Sequence, residues 1–308
     1  MKKVKWLATV LFVASIALGV IGSSCSRIGV AQVDVVPEVF VLVEGTTITG
    51  TESWTPESKV FVRGRSFTIP NLYVSDHEVT RGEYKAVMGK DPSTGIGYDK
   101  DGNGLGVADL NNPVIDVNWY DAIVYCNKRS MAEGLTPCYS IKQSTNPDDW
   151  GKVPYEEEDS SRTIWDAATC DFEANGYRLP TEAEWEWLAR GGENYKYAGS
   201  DTIDDVAWYY YNSTLGTRDV KTKAPNGYGL YDMSGNVWEW CWNWFTSEYD
   251  ENTEGGSDPT GTSAGSLRVS RGGSWNDSSG YCAVSYRGRY YPYYRYVDGG
   301  FRVVRQAN

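Results

Sequence analysis

Apolar residues recur at helical spacing in three short stretches, and each stretch begins at a polar residue that can cap a helix. Thr80 and Glu83 form a capping-box pattern, which predicts a helix that ends near Met88. Asn118 can cap a second helix, and the capping box that begins at Thr181 predicts a third. The apolar faces of the second and third helices consist of Trp119, Ala122, Ile123, Cys126, Trp185, Leu188 and Ala189.

Two further apolar stretches, residues 39–43 and 60–69, predict strands. Most of the remaining chain is rich in Gly, Asn, Asp, Ser and Trp. Long irregular segments of this kind are unusual in a compact domain. We therefore expect a fold held by aromatic packing and turn hydrogen bonds. No long linker divides the chain, so we predict a single domain over residues 39–308.

The N-terminal segment has the pattern of an export signal. Lys2, Lys3 and Lys5 precede the apolar run 6–21, which is short for a membrane-spanning helix. Small residues then lead to Cys25, and this arrangement resembles a bacterial lipoprotein box, in which the cysteine becomes the acylated first residue. The alternative is an ordinary signal peptide or an uncleaved anchor, with Cys25 incidental.

The lipoprotein resemblance implies three assignments. Residues 1–24 would be a lipoprotein signal peptide, Cys25 would carry the lipid, and residues 25–38 would be a tether. The protein would then be exported and anchored by lipid to the cell envelope, with its domain on the outer surface.

Charge and residue counts exclude several classes of partner and site. The formal charge is −12, and loss of the three N-terminal lysines would make it more negative by three units. This charge argues against nucleic acid as a partner and limits membrane contact to the lipid anchor. His77 is the sole histidine, which excludes sites built on several histidines, so we interpret it as a packing residue. The five cysteines after Cys25 are expected to be free thiols with at most two disulfides.

The C-terminal part of the chain carries an unusual concentration of tyrosine. Seven of the 23 tyrosines fall within residues 281–296, between the motifs 271–275 and 300–302. Each buried phenol needs a hydrogen-bond partner, whereas exposed tyrosine offers a large contact area with little rotamer entropy to lose. The segment therefore predicts a recognition surface. A tyrosine-rich strand packed against tryptophans is the alternative.

Several sequence blocks resemble the formylglycine-generating-enzyme family, whose domain is also called the sulfatase-modifying-factor domain. The resemblance covers roughly residues 39–305. It implies an α+β fold of the C-type lectin type, with small antiparallel sheets, few helices and much irregular structure. The matching blocks are residues 77–84, 113–126, 176–186, 225–240, 271–275 and 300–302.

Oxidising members of that family use two cysteines to bind copper and attack a cysteine of a protein substrate. In this sequence the second cysteine falls on Cys282, whereas the first falls on Asp277. One thiolate with one carboxylate is a poor site for monovalent copper. We therefore predict that the chain is not an enzyme, and a copper oxidase acting on protein cysteine is the disfavoured alternative. Glu239 has no evident catalytic partner and is interpreted as structural.

The family resemblance also raises the question of calcium. In members with structural calcium, asparagine and backbone carbonyls of one segment bind the ion, and the matching positions here are Asn226, Gly227, Gly229 and Tyr231. A turn that needs no metal is the alternative, and no cofactor is required. Residues 99–104 resemble a calcium loop, but Leu110 replaces the required glutamate, so we predict a surface turn.

The last block also resembles the variable region of diversity-generating-retroelement proteins. In those systems a template copy is mutated at the adenines of asparagine codons. Templates of this type keep Trp, Cys, Arg, Pro and Arg fixed, and Trp275, Cys282, Arg287, Pro292 and Arg295 occupy matching places. The varied, ligand-binding positions would be Asp277, Ser278, Tyr281, Tyr286, Gly288, Arg289, Tyr290, Tyr291, Tyr293, Tyr294, Tyr296, Val297 and Asp298.

Composition agrees with this resemblance. Mutating only the adenines of an AAC codon cannot yield Glu, Gln, Lys, Met or Trp, which make up 52 of the 308 residues. None of them occurs in residues 276–298, where about four would be expected from composition.

We therefore predict a surface-displayed, ligand-binding lipoprotein with a variable region at about 271–304. Its varied side chains would face outward from a rigid scaffold, toward an unknown protein or cell-surface ligand. An undiversified structural envelope protein is a further alternative.

Overall fold

The computed structural model describes most of the chain after the predicted tether. The predicted signal peptide, Cys25, the tether and the loop 99–104 lie outside the described residues. No helix in the described part is long and apolar enough to cross a membrane. The described residues are 39–93, 97–98, 110–214, 216–247 and 264–307.

Five α-helices occur in the described residues, and three of them begin at the predicted caps. The side chains of Thr80, Asn118 and Thr181 each accept the backbone N–H three residues later, and that later carboxylate accepts the N–H of the cap. The three predicted helices are thereby confirmed. The helices are α1 (Arg81–Met88), α2 (Trp119–Ala132), α3 (Arg162–Asp166), α4 (Glu182–Arg190) and α5 (Ile203–Val206).

Short strands complete the fold. The strands are β1 (Phe40–Val43), β2 (Thr46–Ile48), β3 (Phe67–Ile69), β4 (Leu72–Ser75), β5 (Gly97–Tyr98), β6 (Tyr139–Ser140), β7 (Thr169–Cys170), β8 (Thr217–Arg218), β9 (Trp238–Trp244), β10 (Arg268–Arg271), β11 (Gly288–Tyr290), β12 (Gly299–Gly300) and β13 (Val304–Gln306).

The strands form small sheets, as the predicted fold class requires. One sheet has the order β11-β10-β9-β12, a second has the order β1-β4-β13, and the other strands pair in twos. Most pairs are antiparallel, but β12 pairs with β9, and β5 with β8, in parallel. The α+β class with few helices and small sheets is confirmed. The sheets are mostly antiparallel, as predicted, but they include two parallel strand pairs.

The predicted strand over residues 60–69 is wrong in its first part, because only Phe67–Ile69 forms a strand. The Ser58 hydroxyl accepts the N–H groups of Val60 and Phe61 at 3.1 and 2.8 Å, which bends the chain into a turn. Val60 and Phe61 are nevertheless buried. Their apolar character therefore reflects a core turn rather than a sheet.

Strand β9 separates the two main hydrophobic cores. Trp240 belongs to the core that packs on α2, whereas the next residue, Cys241, belongs to the core that packs on α4. Successive side chains of a strand point to opposite faces, so one strand serves both cores. The five cysteines after residue 39 are all free thiols, and four of them are buried. The C-terminal segment that follows β10 is built onto this central sheet.

A buried ion pair ties the central sheet to the C-terminus. Both carboxylate oxygens of Glu239 accept from the guanidinium of Arg302 at 2.7 Å, and Glu239 also accepts the indole N–H of Trp185. Arg302 is completely buried. Glu239 thus has the geometry of a structural carboxylate.

Candidate functional site

Arginines at three points hold the segment between β10 and β12. The guanidinium of Arg271 donates to the carbonyl oxygens of Val284 and Tyr286 at 3.0 and 2.7 Å and pairs with Glu186 at 2.6 Å. Arg287 forms a two-point ion pair with Glu182, at 2.6 and 2.9 Å.

Arg295 is the third anchor, and it pairs with Asp121 of α2 at 2.8 and 3.1 Å. An arginine–carboxylate pair with two hydrogen bonds fixes the relative orientation of the two groups as well as their separation. These anchors therefore define the path of the segment.

Backbone hydrogen bonds from the scaffold complete this attachment. Their donors are residues outside 276–298, and their acceptors are main-chain carbonyl oxygens inside it. The pairs are Tyr210 to Asp277, Trp119 to Pro292, Asp116 to Tyr296 and Trp238 to Asp298, at 2.8 to 3.1 Å. A main-chain acceptor does not depend on which side chain it carries. The segment is thus held by contacts that tolerate a change of side chain.

The thirteen predicted variable positions differ in exposure. Seven side chains are exposed, namely Ser278, Tyr281, Tyr286, Arg289, Tyr291, Tyr294 and Val297. Four are half-buried, namely Asp277, Tyr290, Tyr296 and Asp298. Gly288 and Tyr293 are buried.

Tyr293 departs from the expected outward orientation. It is 2% exposed and joins the hydrophobic core that packs on α2. The Arg162 guanidinium lies 5.0 Å from its ring centroid. The turn that follows Pro292 points this side chain inward, whereas Tyr291 and Tyr294 remain exposed. A run of tyrosines gives no sequence signal that distinguishes the inward member.

Gly288 has no room for a side chain. A Cβ atom there would lie 2.6 Å from the Ser270 hydroxyl oxygen and 2.6 Å from the Trp238 ring. Any residue larger than glycine would have to displace one of them. Gly288 and Tyr293 therefore support the surface from below and do not form part of it.

The tyrosines make one continuous aromatic band. Neighbouring ring centroids are 4.2 to 6.0 Å apart, from Tyr281 and Tyr286 through Trp238 to Tyr290 and onward. Such offset and edge-on contacts are favourable between aromatic rings. The members of the band are Trp238, Tyr281, Tyr286, Tyr290, Tyr291, Tyr293, Tyr294 and Tyr296.

Asp277 and Asp298 lie close together and near Tyr290 of this band. The Ser274 hydroxyl contacts a carboxylate oxygen of each, at 2.5 Å for Asp277 and 3.2 Å for Asp298. Burial, together with repulsion by Asp277, raises the pKa of Asp298 to about 6. Burial also raises the pKa of Asp277. We predicted these residues to be outward charges, whereas the structure brings their half-buried carboxylates together at the Ser274 hydroxyl.

The position that matches the copper-binding thiol is unsuited to that role in this conformation. Cys282 is fully buried among Tyr197, Val206 and Tyr209. Burial, with a further contribution from Asp277, raises the pKa of its thiol to about 12. A protonated, enclosed thiol neither binds metal nor attacks a substrate. The residues present therefore do not fit a copper site.

The predicted calcium positions form a hydrogen-bonded turn. The Asn226 side-chain oxygen already accepts the N–H groups of Tyr228 and Leu230, and its amide donates to two carbonyl groups at the end of α4. The Gly227 N–H donates to Glu193, and the Tyr231 N–H donates to Asp76. Asn226 thus serves as a turn and helix cap in this conformation. Calcium binding at these four residues remains a prediction.

His77 is more than a packing residue. Its Nδ1 atom lies 2.5 Å from Asp76, its Nε2 atom lies 3.4 Å from Glu83, and Lys221 also pairs with Asp76. Burial alone would lower the pKa of His77, but the two carboxylates outweigh burial and raise it to about 9. His77 is therefore a buried cation that links the start of α1 to the sheet.

Tyr210 and Tyr211 extend the exposed aromatic surface, and sequence reasoning missed them. They are 49% and 77% exposed, and the backbone of Tyr210 binds Asp277 directly. The run of aromatic residues 208–211 was a usable signal, because exposed tyrosine next to a recognition segment adds contact area. Trp238 was also missed as the residue that joins the two halves of the aromatic band.

The family profile described as "Sulfatase-modifying factor enzyme 1-like domain" matches residues 27–307. The chain belongs to this family. A curated family relative, "Chaperone protein LppX" of Paenibacillus barcinonensis, is 35% identical and covers 98% of this chain and 99% of its own length. A formylglycine-generating enzyme of Streptomyces coelicolor is 39% identical over 133 residues, which span 38% of this chain and 42% of that enzyme.

Solved structures agree with this membership. The structure of Treponema denticola variable protein 1 is 35% identical and superposes with a TM-score of 0.74, covering 88% of this chain and 95% of that chain. The structure of CarF is 26% identical, with a TM-score of 0.62, and covers 88% of this chain and 99% of that chain. The family fold is therefore shared over nearly all of the described domain.

Proposed function

We propose that the protein is a ligand-binding scaffold whose segment 276–298 is diversified by a retroelement. The observation that carries this proposal is the attachment of that segment through main-chain carbonyls and fixed arginines. Because the scaffold binds the backbone, exposed side chains can change partner without changing the fold. The similarity to Treponema denticola variable protein 1 supports the proposal.

The binding face consists of the exposed part of the aromatic band and the residues beside it. Tyr281, Tyr286, Tyr291 and Tyr294 are each between 37% and 43% exposed. Tyrosine supplies apolar area and a hydroxyl for hydrogen bonding, a combination enriched at energetic centres of interfaces. Arg289 adds an exposed cation at the same face. The ligand is a protein or another cell-surface molecule.

The scaffold is exported and held at the cell envelope by a lipid on Cys25, with the binding face toward the outside. The N-terminal sequence pattern supports this part of the proposal. Metabolic labelling with a palmitate analogue tests it, with Cys25→Ser as the control. Absence of label on the unaltered protein would contradict lipid anchoring.

DNA sequencing around the gene tests diversification directly. We expect a near-copy of the segment that encodes residues 271–304, with asparagine codons at the varied positions, close to a reverse-transcriptase gene. Absence of both throughout the genome would overturn diversification. The chain would then be a fixed binding or structural protein of the envelope.

A second candidate is a chaperone for exported proteins. It is favoured by the relative named as a chaperone, which matches along nearly the entire chain. A tyrosine-rich face can hold unfolded segments through apolar contacts. Suppression of aggregation of several unrelated unfolded proteins, lost when Tyr281 and Tyr294 become alanine, would favour the chaperone over a selective receptor.

A further inference from the structure

A small cavity lies at the C-terminal end of α4, beside the loop that joins β2 to β3. Its volume is about 340 Å³, near the lower end of the range of about 300–1,000 Å³ found for small-molecule sites. The cavity therefore suits a compact ligand. The segment 276–298 lies elsewhere, because Arg287 anchors it at Glu182, the first residue of α4. The residues that line the cavity include Glu52, Ser53, Trp54, Trp187, Glu193 and Asn194.

Two tryptophans form the apolar part of the cavity wall. The rings of Trp54 and Trp187 meet edge to face, with centroids 6.4 Å apart and an angle of 85° between their planes. Both side chains are only partly buried, whereas Trp119, Trp185 and Trp240 are fully buried. Flat aromatic rings pack closely on the C–H groups of a ligand. The two tryptophans thus provide an apolar surface at the cavity.

Hydrogen-bonding groups form the rest of the wall, and the fold holds each of them in place. Glu52, Glu193 and Asn194 each accept a backbone N–H with one side-chain oxygen, at 3.0, 3.0 and 2.6 Å. The second oxygen of each carboxylate and the amide nitrogen of Asn194 form no hydrogen bond within the described residues. The wall therefore offers two acceptors and one donor to a ligand.

Unpaired donors lie beside the cavity. In the part of the chain that the structure describes, the indole nitrogens of Trp54 and Trp187 have no hydrogen-bond partner. The same is true of Nη1 of Arg190, whose guanidinium lies 4.3 Å from the Trp54 ring centroid. Buried donors are nearly always paired, so these three indicate that the ligand carries acceptor oxygens. The three nitrogens are enclosed in this conformation, so a ligand oxygen reaches them only if the loop 52–54 shifts.

These groups together restrict the chemical class of the ligand. A cation would leave the Asn194 amide unpaired and would meet the guanidinium of Arg190 beside Trp54. An anion would meet the carboxylates of Glu52 and Glu193, and a purely apolar molecule would dehydrate them without replacing their hydrogen bonds. A neutral molecule with C–H faces and hydroxyl groups satisfies the whole wall, because a hydroxyl both donates and accepts.

We propose that this cavity binds one neutral pyranose sugar ring, either free or at the end of a glycan chain. Its C–H face lies against the tryptophan rings, and its hydroxyl groups bind Glu52, Glu193 and Asn194. The site shares no residue with the segment 276–298, so it is independent of the proposed binding face. The protein then carries a fixed sugar site in addition to that face.

A panel of neutral sugars tests the proposal by NMR. The probes are the methyl pyranosides of glucose, galactose, mannose and N-acetylglucosamine, and the readout is the indole N–H resonances of Trp54 and Trp187. We expect at least one glycoside to shift both resonances, with a Kd of about 1 mM. Cyclohexanol, a ring of similar size with one hydroxyl, and tetramethylammonium should each bind at least about tenfold more weakly. Failure of all four glycosides, or equal binding of either control compound, would overturn the sugar site.

Matched variants locate the site. Trp187→Leu keeps apolar volume but removes the flat ring, and it should weaken glycoside binding at least about tenfold. Glu193→Gln removes a charged acceptor but can still accept the Gly227 N–H, and it should weaken binding about fivefold. Tyr155→Ala and Glu158→Gln alter exposed side chains outside the cavity and should leave binding unchanged.

Thermal melting shows whether each variant folds. Glu193→Gln keeps the shape of the side chain, so it should fold even if Trp187→Leu does not. Full affinity for the glycoside in a folded Glu193→Gln variant, and in Trp187→Leu if that variant also folds, would refute the site.

Two comparisons separate the remaining outcomes. A trisaccharide that ends in the sugar that binds should match the glycoside within about threefold if a glycan end enters the cavity. Binding that is more than about tenfold weaker would support the site and assign it to a free sugar. Glycoside binding in a protein whose gene has no template copy would leave the sugar site standing and the proposed diversification refuted. A template copy without glycoside binding would refute only the sugar site.

Discussion

At the residue scale, adjacent tyrosines have different roles. Tyr293 is buried in the core, whereas Tyr291 and Tyr294 are 40% and 43% exposed. Tyr293→Ala should lower the free energy of unfolding by about 3 kcal/mol, since it removes a buried ring. Tyr291→Ala and Tyr294→Ala should each change the free energy of unfolding by about 1 kcal/mol or less. Urea unfolding of the three variants measures this difference.

A hydroxyl deletion at the same residue provides the matched control. The Tyr293 hydroxyl has no hydrogen-bond partner among the described residues, so Tyr293→Phe should preserve or increase stability. Destabilisation by Tyr293→Phe comparable to that of Tyr293→Ala would contradict the buried, unpaired hydroxyl.

Two glycines of the same segment make a second residue-scale comparison. A Cβ atom at Gly288 would lie 2.6 Å from Trp238, whereas one at Gly280 would meet nothing within 4 Å. Gly288→Asn should therefore cost about 2 kcal/mol of stability. Gly280→Asn should be nearly neutral, and thermal melting compares the two variants. If both melt alike, position 288 is free to vary as the sequence pattern predicts.

At the scale of elements, arginine anchors hold the segment onto α4. Arg287 and Glu182 are nearly buried, so Arg287→Ala should cost about 2 kcal/mol because the Glu182 carboxylate loses its two-point pair, although Arg271 stays 3.6 Å away. Hydrogen exchange should increase selectively in residues 284–290. The exposed pair Lys128–Asp148 is the control, and Lys128→Ala should change stability by about 0.5 kcal/mol or less. Unchanged exchange after Arg287→Ala would contradict the anchoring role.

Helix starts could be predicted from sequence because a capping box is local. Thr80, Asn118 and Thr181 each satisfy N–H groups within three residues, and no distant contact is needed. Strand β9 was not predicted, although tryptophan alternates with Glu, Cys and Asn over Trp238–Trp244, a period-two pattern that is typical of a strand. Its paired residues in the neighbouring strands lie 24 to 61 residues away along the chain.

Some features of the candidate site could likewise be predicted from the sequence, and others could not. Tyrosine density identified the segment, and the fixed arginines were located from the family resemblance. The inward turn of Tyr293 and the pairing of Asp277 with Asp298 depend on the path of the backbone after Pro292 and on Ser274. Such long-range geometry leaves no trace in local composition.

At the scale of the whole molecule, stability should depend on pH through His77. The carboxylates raise the pKa of His77 from 6.5 to about 9. The resulting stabilisation is complete below pH 6.5 and is lost as the pH rises through 9. The melting temperature should therefore fall between pH 6.5 and 9. His77→Gln should lower stability overall and flatten this slope, and calorimetry across the range measures both. If the melting temperature of the His77→Gln variant still falls between pH 6.5 and 9, groups other than His77 cause the pH dependence.

The aromatic band has a consequence for any set of sibling proteins. Each tyrosine in it touches at least one other predicted variable position, as Tyr290 touches Tyr296 and Tyr291 touches Tyr294. Substitutions at residues in contact are not additive. If the segment is diversified, its repertoire is therefore smaller than the product of the choices at each position, and residues at contacting positions should covary among siblings. Pairs with no shared contact, such as Tyr281 and Tyr294, should vary independently.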